Sequence, residues 1–360
     1  MKKNSSRIPF VQSTRQLPWL TRSVTGLTPA YFTSVMATAV ISVVLLLVKR
    51  IIISEVFWVL ATVFYVVLIV ANVLRMVLTP SSFARDFKDP GTMFGFFTFV
   101  ASAGVLGSRF VLGGYVDIGF ILGIIAFATW LFLSYWVSYC LLDSNEKPVA
   151  QIVSGTWLLI TVGLQSLAIM ATQLTAHFPQ WRVPLLVFGF GVWGTGVVFY
   201  CIIITAVMAR LFFSHVKPSE TTPPYWINMG AIAITTLAGA HLALQSNTQL
   251  LKTTHDFIVG LTVLLWAFGT WWIPLLFIVG WWRHIRGRVP IRYDPSFWSM
   301  VFPIGMYTAA TDALALIPGL SLLHSIVSYG LAVALIAWAA TTVGYIVHTV
   351  KWLTNPSIGT

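Results

Sequence analysis

Charge is the scarcest property of this chain. Only 9% of its 360 residues are Asp, Glu, Lys or Arg, and only 10 are acidic, against about 25% charged residues in soluble domains. A water-facing globular surface cannot be built from that inventory. Cysteine is also scarce: Cys140 and Cys201 both sit inside apolar segments, which excludes a disulfide framework and a thiolate metal site and marks them as packing residues. Catalytic signatures are missing too. No glycine loop precedes a Lys-Ser or Lys-Thr pair, no serine lies in an elbow motif, and the seven histidines form no i, i+4 metal pair. These gaps argue against nucleotide-driven pumping, enzymatic chemistry, a bound metal or a histidine-ligated haem, and no cofactor is expected.

What the chain has is hydrocarbon. Hydrophobic residues make up 58% of it and its mean hydropathy is +0.86. A bilayer core about 30 Å thick is crossed by roughly 20 apolar residues in a helix. Ten such segments can be read, at about 29–48, 54–78, 91–109, 115–142, 148–171, 182–213, 224–246, 254–282, 295–315 and 321–350. The expected class is an all-α integral membrane protein, with a tail over 1–28, a ten-helix transmembrane domain over 29–351 and a second tail over 352–360. The first tail lacks an apolar stretch and a cleavage site, so it does not read as a signal peptide.

Punctuation groups the segments into five helical hairpins. Pro29, Pro90, Pro148, Pro224 and Pro295 open the odd-numbered segments, where a missing N–H costs nothing. Odd segments are rich in small residues, which lets backbones approach closely and predicts an inner ring of five helices. Even segments carry Trp58, Trp130, Trp136, Trp193, Trp266, Trp271, Trp272, Trp281, Trp282 and Trp338, expected to face lipid and its interfaces. The formal charge of +11 forms no stripe for nucleic acid. The basic residues crowd instead onto the side of the N-terminus, including Arg75, Arg85, Lys88, Lys147, Arg210, Lys217 and Arg283 to Arg292. Both termini are therefore expected in the cytoplasm of a cell, here read as bacterial, with the protein in its inner membrane.

Three stretches, "LTPAYFTSVMATAVIS" at 27–42, "PPYWINMGAIAI" at 223–234 and "FWSMVFPIGMYTAA" at 297–310, resemble the tellurite-resistance protein and C4-dicarboxylate transporter family. That family includes the slow anion channels of plant guard cells, and the resemblance covers nearly the whole membrane region. It implies five hairpins with quasi-five-fold symmetry around a central pore, a homotrimer, and small anions as the partners that pass. It also implies a pore-blocking phenylalanine on the ninth helix, which matches Phe302, followed by Pro303. Passive channels and proton-coupled or efflux carriers of dicarboxylate, sulphite or tellurite-related oxyanions all belong to it.

Phe302 lies seven residues after Pro295, about 10 Å into its helix. Gly104, Gly163, Gly239 and Gly305, with Pro303, are candidates for lining the pore or bending inner helices. Gln165, His241 and Asp312 each fall 17 residues after an opening proline, about 25 Å along, which predicts a shared depth at the outer mouth. His241 is the expected partner of Asp312.

Overall fold

The computed structural model of the protein describes residues 24–144, 148, 152–245 and 248–354. Most of the expected N-terminal tail, Lys147 and residues 355–360 lie outside the described residues.

The structure is built of helices α1 (Thr33–Leu47), α2 (Ile51–Leu78), α3 (Pro80–Lys88), α4 (Phe97–Leu112), α5 (Val116–Ser144), α6 (Leu159–Leu174), α7 (Arg182–Phe213), α8 (Ile227–Ala243), α9 (Gln249–Trp281), α10 (Trp298–Ala315) and α11 (His324–Thr354). Among the described residues, nine helices are long and apolar enough to cross a bilayer. Outside that set are α3, only nine residues long, and α10, whose small and polar residues, Pro303 and Asp312 dilute its hydrocarbon.

α1, α4, α6, α8 and α10 pack side by side in that order, and α10 returns to α1. The ring is closed. Each of these helices opens with a 3-10 turn, at Pro29–Phe32, Met93–Phe96, Gly155–Leu158, Pro223–Trp226 and Pro295–Phe297. The five turns also touch in sequence order and close on themselves, so every inner helix starts at the same end. Contact is close there: Thr98 Oγ1 donates to the Pro29 carbonyl at 2.7 Å, and a Cβ on Gly155 would overlap the Pro224 carbonyl oxygen.

Burial separates the two classes of helix. In the four inner spans that qualify by hydropathy, 72–94% of residues are buried, whereas α2, α5, α7, α9 and α11 bury 11–28% and expose Val, Ile, Leu and Phe. Only hydrocarbon solvates such a surface. Two hairpins turn by one device. Lys49 and Gly114 adopt left-handed φ of 61° and 87°, and the next residues, Arg50 and Tyr115, donate back to the carbonyls of Leu45 and Phe110. That pattern is a Schellman stop.

Three expectations need correction. Most of the outer-helix tryptophans do not face lipid. Of the ten, Trp271 and Trp281 are exposed, while Trp130, Trp193 and Trp272 are buried. Their indole N–H groups explain this, because at membrane depth a donor needs a partner. Trp130 donates to the Ile160 carbonyl, Trp193 to the Thr235 carbonyl, Trp266 to Thr311 Oγ1 and Trp338 to Thr38 Oγ1, at 2.9–3.0 Å. Each bond runs from an outer helix to the inner helix of the next hairpin. The third and fifth segments, expected from Pro90 and Pro148, open their helices at Met93 and Gly155, so both prolines stand before these turns and not in them. Cys201 likewise lies exposed on α7, while Cys140 is buried.

Candidate functional site

A cavity of about 190 Å³ lies on the axis of the ring, lined from all five inner helices. It occupies the end opposite the 3-10 turns, since its rim includes Leu47, Leu112, Gln173, Leu244 and Leu316 at the helix C-termini. The walls are mainly aliphatic, and the polar lining consists of Ser108, Ser166, Gln173, His241 and Asp312.

The spacing of the lining residues identifies the face of α10 that looks onto the axis. Met306, Ala309 and Ala313 line the cavity, and Phe302 lies on the same stripe, one turn before Met306. The flanks of the stripe agree: Pro303 packs on Gly230 of α8, and Gly305 sits against Val40 of α1. Phe302 thus lies between the two neighbouring contacts, below the cavity floor. One turn below Val40, Val105, Ser166, Leu237 and Met306 stand Met36, Ala101, Val162, Ala233 and Phe302, all buried. In this layer a single aromatic ring is opposed by two alanines, a valine and a methionine.

The glycines divide. Gly104 lines the cavity, and a Cβ there would overlap the Ser166 hydroxyl of α6. Gly163 packs against Val100 and Trp130, Gly239 against Thr262 and Trp193, and Gly305 against Val40. For these three the small side chain permits close packing between helices.

Two of the three polar candidates, His241 and Asp312, share the cavity. Gln165 does not. It is buried between α6 and α7, its Nε2 donating to the Trp193 carbonyl at 3.1 Å. Its depth was counted from Pro148. Counted from Gly155, Gln165 is only 10 residues along, and the residue level with His241 and Asp312 is Gln173, 18 residues along. Gln173, Ser108 and Ser166 are polar lining residues that sequence reasoning missed, and Gln173 Oε1 accepts from Ser108 Oγ at 2.7 Å.

The expected His241 to Asp312 pair is replaced by two separate contacts. His241 Nδ1 lies 3.4 Å from Thr172 Oγ1 on neighbouring α6. Asp312 Oδ1 lies 3.4 Å from Nδ1 of His324, the first residue of α11. The short turn between α10 and α11 brings His324 to Asp312. Asp312 is the acidic residue of the lining.

Similar proteins include two from Methanocaldococcus jannaschii described as uncharacterized transporters. One is 25% identical over 305 residues, covering 82% of this chain and 87% of the relative. The other is 24% identical over 291 residues, covering 79% and 82%. An uncharacterized membrane protein of Mycobacterium tuberculosis is 40% identical over 149 residues, 41% of this chain and 76% of the relative. Residues 26–347, which take in all five inner helices and the cavity, match the voltage-dependent anion channel family, and this chain is a multi-pass membrane protein belonging to that family.

Proposed function

We propose that the protein conducts small anions along the axis of its five-helix ring, with Phe302 as the gate. The observation that carries this reading is the axial cavity ending one turn above Phe302, the one aromatic residue among the five buried inner-helix residues of that layer. A bulky ring in a dry constriction blocks ions by volume and by excluding water. Five inner helices begin at the opposite end, and their aligned dipoles raise the positive potential there. Arg286, Arg288 and Arg292 lie exposed at the same end. On this reading α10 crosses the bilayer as a tenth span, both termini are cytoplasmic, and three copies assemble with one pore each. Bilayer current recording on Phe302→Ala tests the gate: conductance rises if the ring is the block, and stays at the wild-type level if it is not.

The contact between Asp312 and His324 at the cavity rim favours a second reading, a proton-coupled carrier of dicarboxylate, sulphite or a related oxyanion. A carboxylate on an anion path repels its cargo unless paired or protonated, and such groups serve as proton sites in transporters. Flux driven by a proton gradient at fixed voltage is its test.

A further inference from the structure

A second cavity, of about 320 Å³, opens on the lipid-facing side of the ring between α2 and α5. Its floor is buried, formed by Phe32 and Leu133, while Val73 and Met76 of α2 and Phe132 of α5 are exposed at its edges. The crevice is therefore open to the surroundings at membrane depth, where the surroundings are hydrocarbon. Its lining is almost wholly apolar, so water has too few partners to fill it.

α3 roofs the crevice at its headgroup end. The residues Phe83 and Phe87 face into it, and Arg85 and Lys88 are exposed on the other side of the same helix. Aromatic residues on one face and basic residues on the other describe an interfacial helix lying at the headgroup level. The roof is fixed in place. Arg75 of α2 pairs with Asp86 at 2.5 Å and lies over the Phe83 ring at 5.9 Å, while Trp136 of α5 donates to the Phe87 carbonyl at 2.9 Å. Asp86, the acidic residue flanked by the two cations, is thus engaged inward with Arg75.

We propose that this crevice binds an anionic phospholipid of the leaflet on the α3 side, with one acyl chain between α2 and α5 and the phosphate-bearing headgroup against Arg85 and Lys88. Hydrocarbon from the bilayer fills the apolar walls, and the cations select a negative headgroup from those available. The site is preformed, so binding requires no rearrangement of the ring.

Native mass spectrometry of the full chain released from nanodiscs tests this, comparing phosphatidylcholine alone with phosphatidylcholine doped with phosphatidylglycerol. The wild type is expected to retain phosphatidylglycerol preferentially. Arg85→Gln with Lys88→Gln is expected to reduce that preference on the order of tenfold without unfolding, because both side chains are exposed. Thr129→Trp, which fills the crevice from α5, is expected to expel the retained lipid whatever its headgroup. Equal retention of both lipids by the wild type overturns the headgroup assignment, and retention unchanged by Thr129→Trp overturns the crevice. Spontaneous disulfide dimers of a Thr129→Cys protein with Cys140 and Cys201 changed to serine would show a second copy seated there instead, which also overturns the proposal.

Discussion

Trp338 Nε1 donates to Thr38 Oγ1 at 3.0 Å, and this single bond ties the last helix of the ring's outer layer to the first helix of its inner layer. Thr38 spends its own hydroxyl proton on the Ser34 carbonyl at 2.7 Å, so its oxygen remains an acceptor for the indole. Trp338 also packs on Phe57 and Trp298, at ring centroid distances of 4.8 and 6.3 Å. The residue therefore joins α1, α2, α10 and α11. Trp338→Phe keeps most of this packing and removes only the bond, so it is expected to cost about 0.5 to 1.5 kcal/mol. Trp338→Ala removes both and is expected to cost about 3 to 5 kcal/mol. Thermal unfolding in detergent checks the order, which would be reversed or flat if the indole only faced lipid.

Arg109 makes a different kind of tie. Its guanidinium is buried between α1, α2 and α4, donating to Ser42 at 2.9 Å, Ser54 at 3.2 Å and Glu55 at 2.8 Å, and it lies 4.4 Å from the Trp58 ring. The two serines already bond each other's carbonyls at 2.7 Å, and Glu55 is 46% exposed. Removing the cation thus strands no buried acceptor. Arg109→Met is expected to stay within about 1 kcal/mol of the wild type, since an apolar replacement of similar length fills the site. Glu55→Ala leaves the buried cation less compensated and is expected to cost about 2 kcal/mol, discounted from a fully buried pair because Glu55 is hydrated. Unfolding midpoints of the two variants decide it, and a larger loss in Arg109→Met would show that the charge itself holds the hairpin.

The architecture was legible from the sequence because membrane helices have few ways to fail. Small residues in the odd segments and bulky ones in the even segments already sort inner from outer helices. The fifth segment was misplaced because a proline close to a helix is not a sufficient marker of its first turn, and a first turn needs no proline. Gly155 starts its helix on the strength of close contact with the Pro224 backbone, which no local signal reveals. That error carried Gln165 to the wrong depth and hid Gln173. The inward tryptophans were hidden for a related reason, since a residue's type does not show which donor finds a tertiary acceptor. Arg109 stands near the end of an apolar segment in the sequence, yet in the fold it is buried against two serines 55 and 67 residues away.

Asp312 separates the two transport readings. In a channel no proton accompanies the anion, so Asp312→Asn is expected to leave flux independent of a pH gradient at constant voltage, as in the wild type. In a carrier the wild type depends on the gradient and Asp312→Asn abolishes that dependence. His324→Gln serves as a control, because it removes the 3.4 Å contact with Asp312 and leaves the carboxylate on the cavity. Vesicle uptake with the voltage clamped by a potassium ionophore measures both. Gradient dependence in the wild type that Asp312→Asn removes would end the channel assignment.

Phe302 and Met36 together test whether the layer below the cavity is a gate or a packed core. Both are wholly buried, and both stand one turn below a residue that lines the cavity. They differ in shape. An aromatic ring across the helical ring from Ala101 and Val162 can fill the axis by itself, whereas the flexible Met36 chain covers less of it. Phe302→Ala is therefore expected to raise conductance several-fold, because truncation leaves a gap wide enough to hold water. Anion selectivity should persist, since the positive potential from the helix N-termini and the basic residues does not reside in the ring. Met36→Ala is expected to raise conductance less. A packed core predicts another pattern, in which both truncations cost about 2 to 5 kcal/mol and neither increases current per molecule. Single-channel recordings beside thermal unfolding of the same preparations separate the two, and a Phe302→Ala protein that is less stable but no more conductive than Met36→Ala would identify Phe302 as a packing residue.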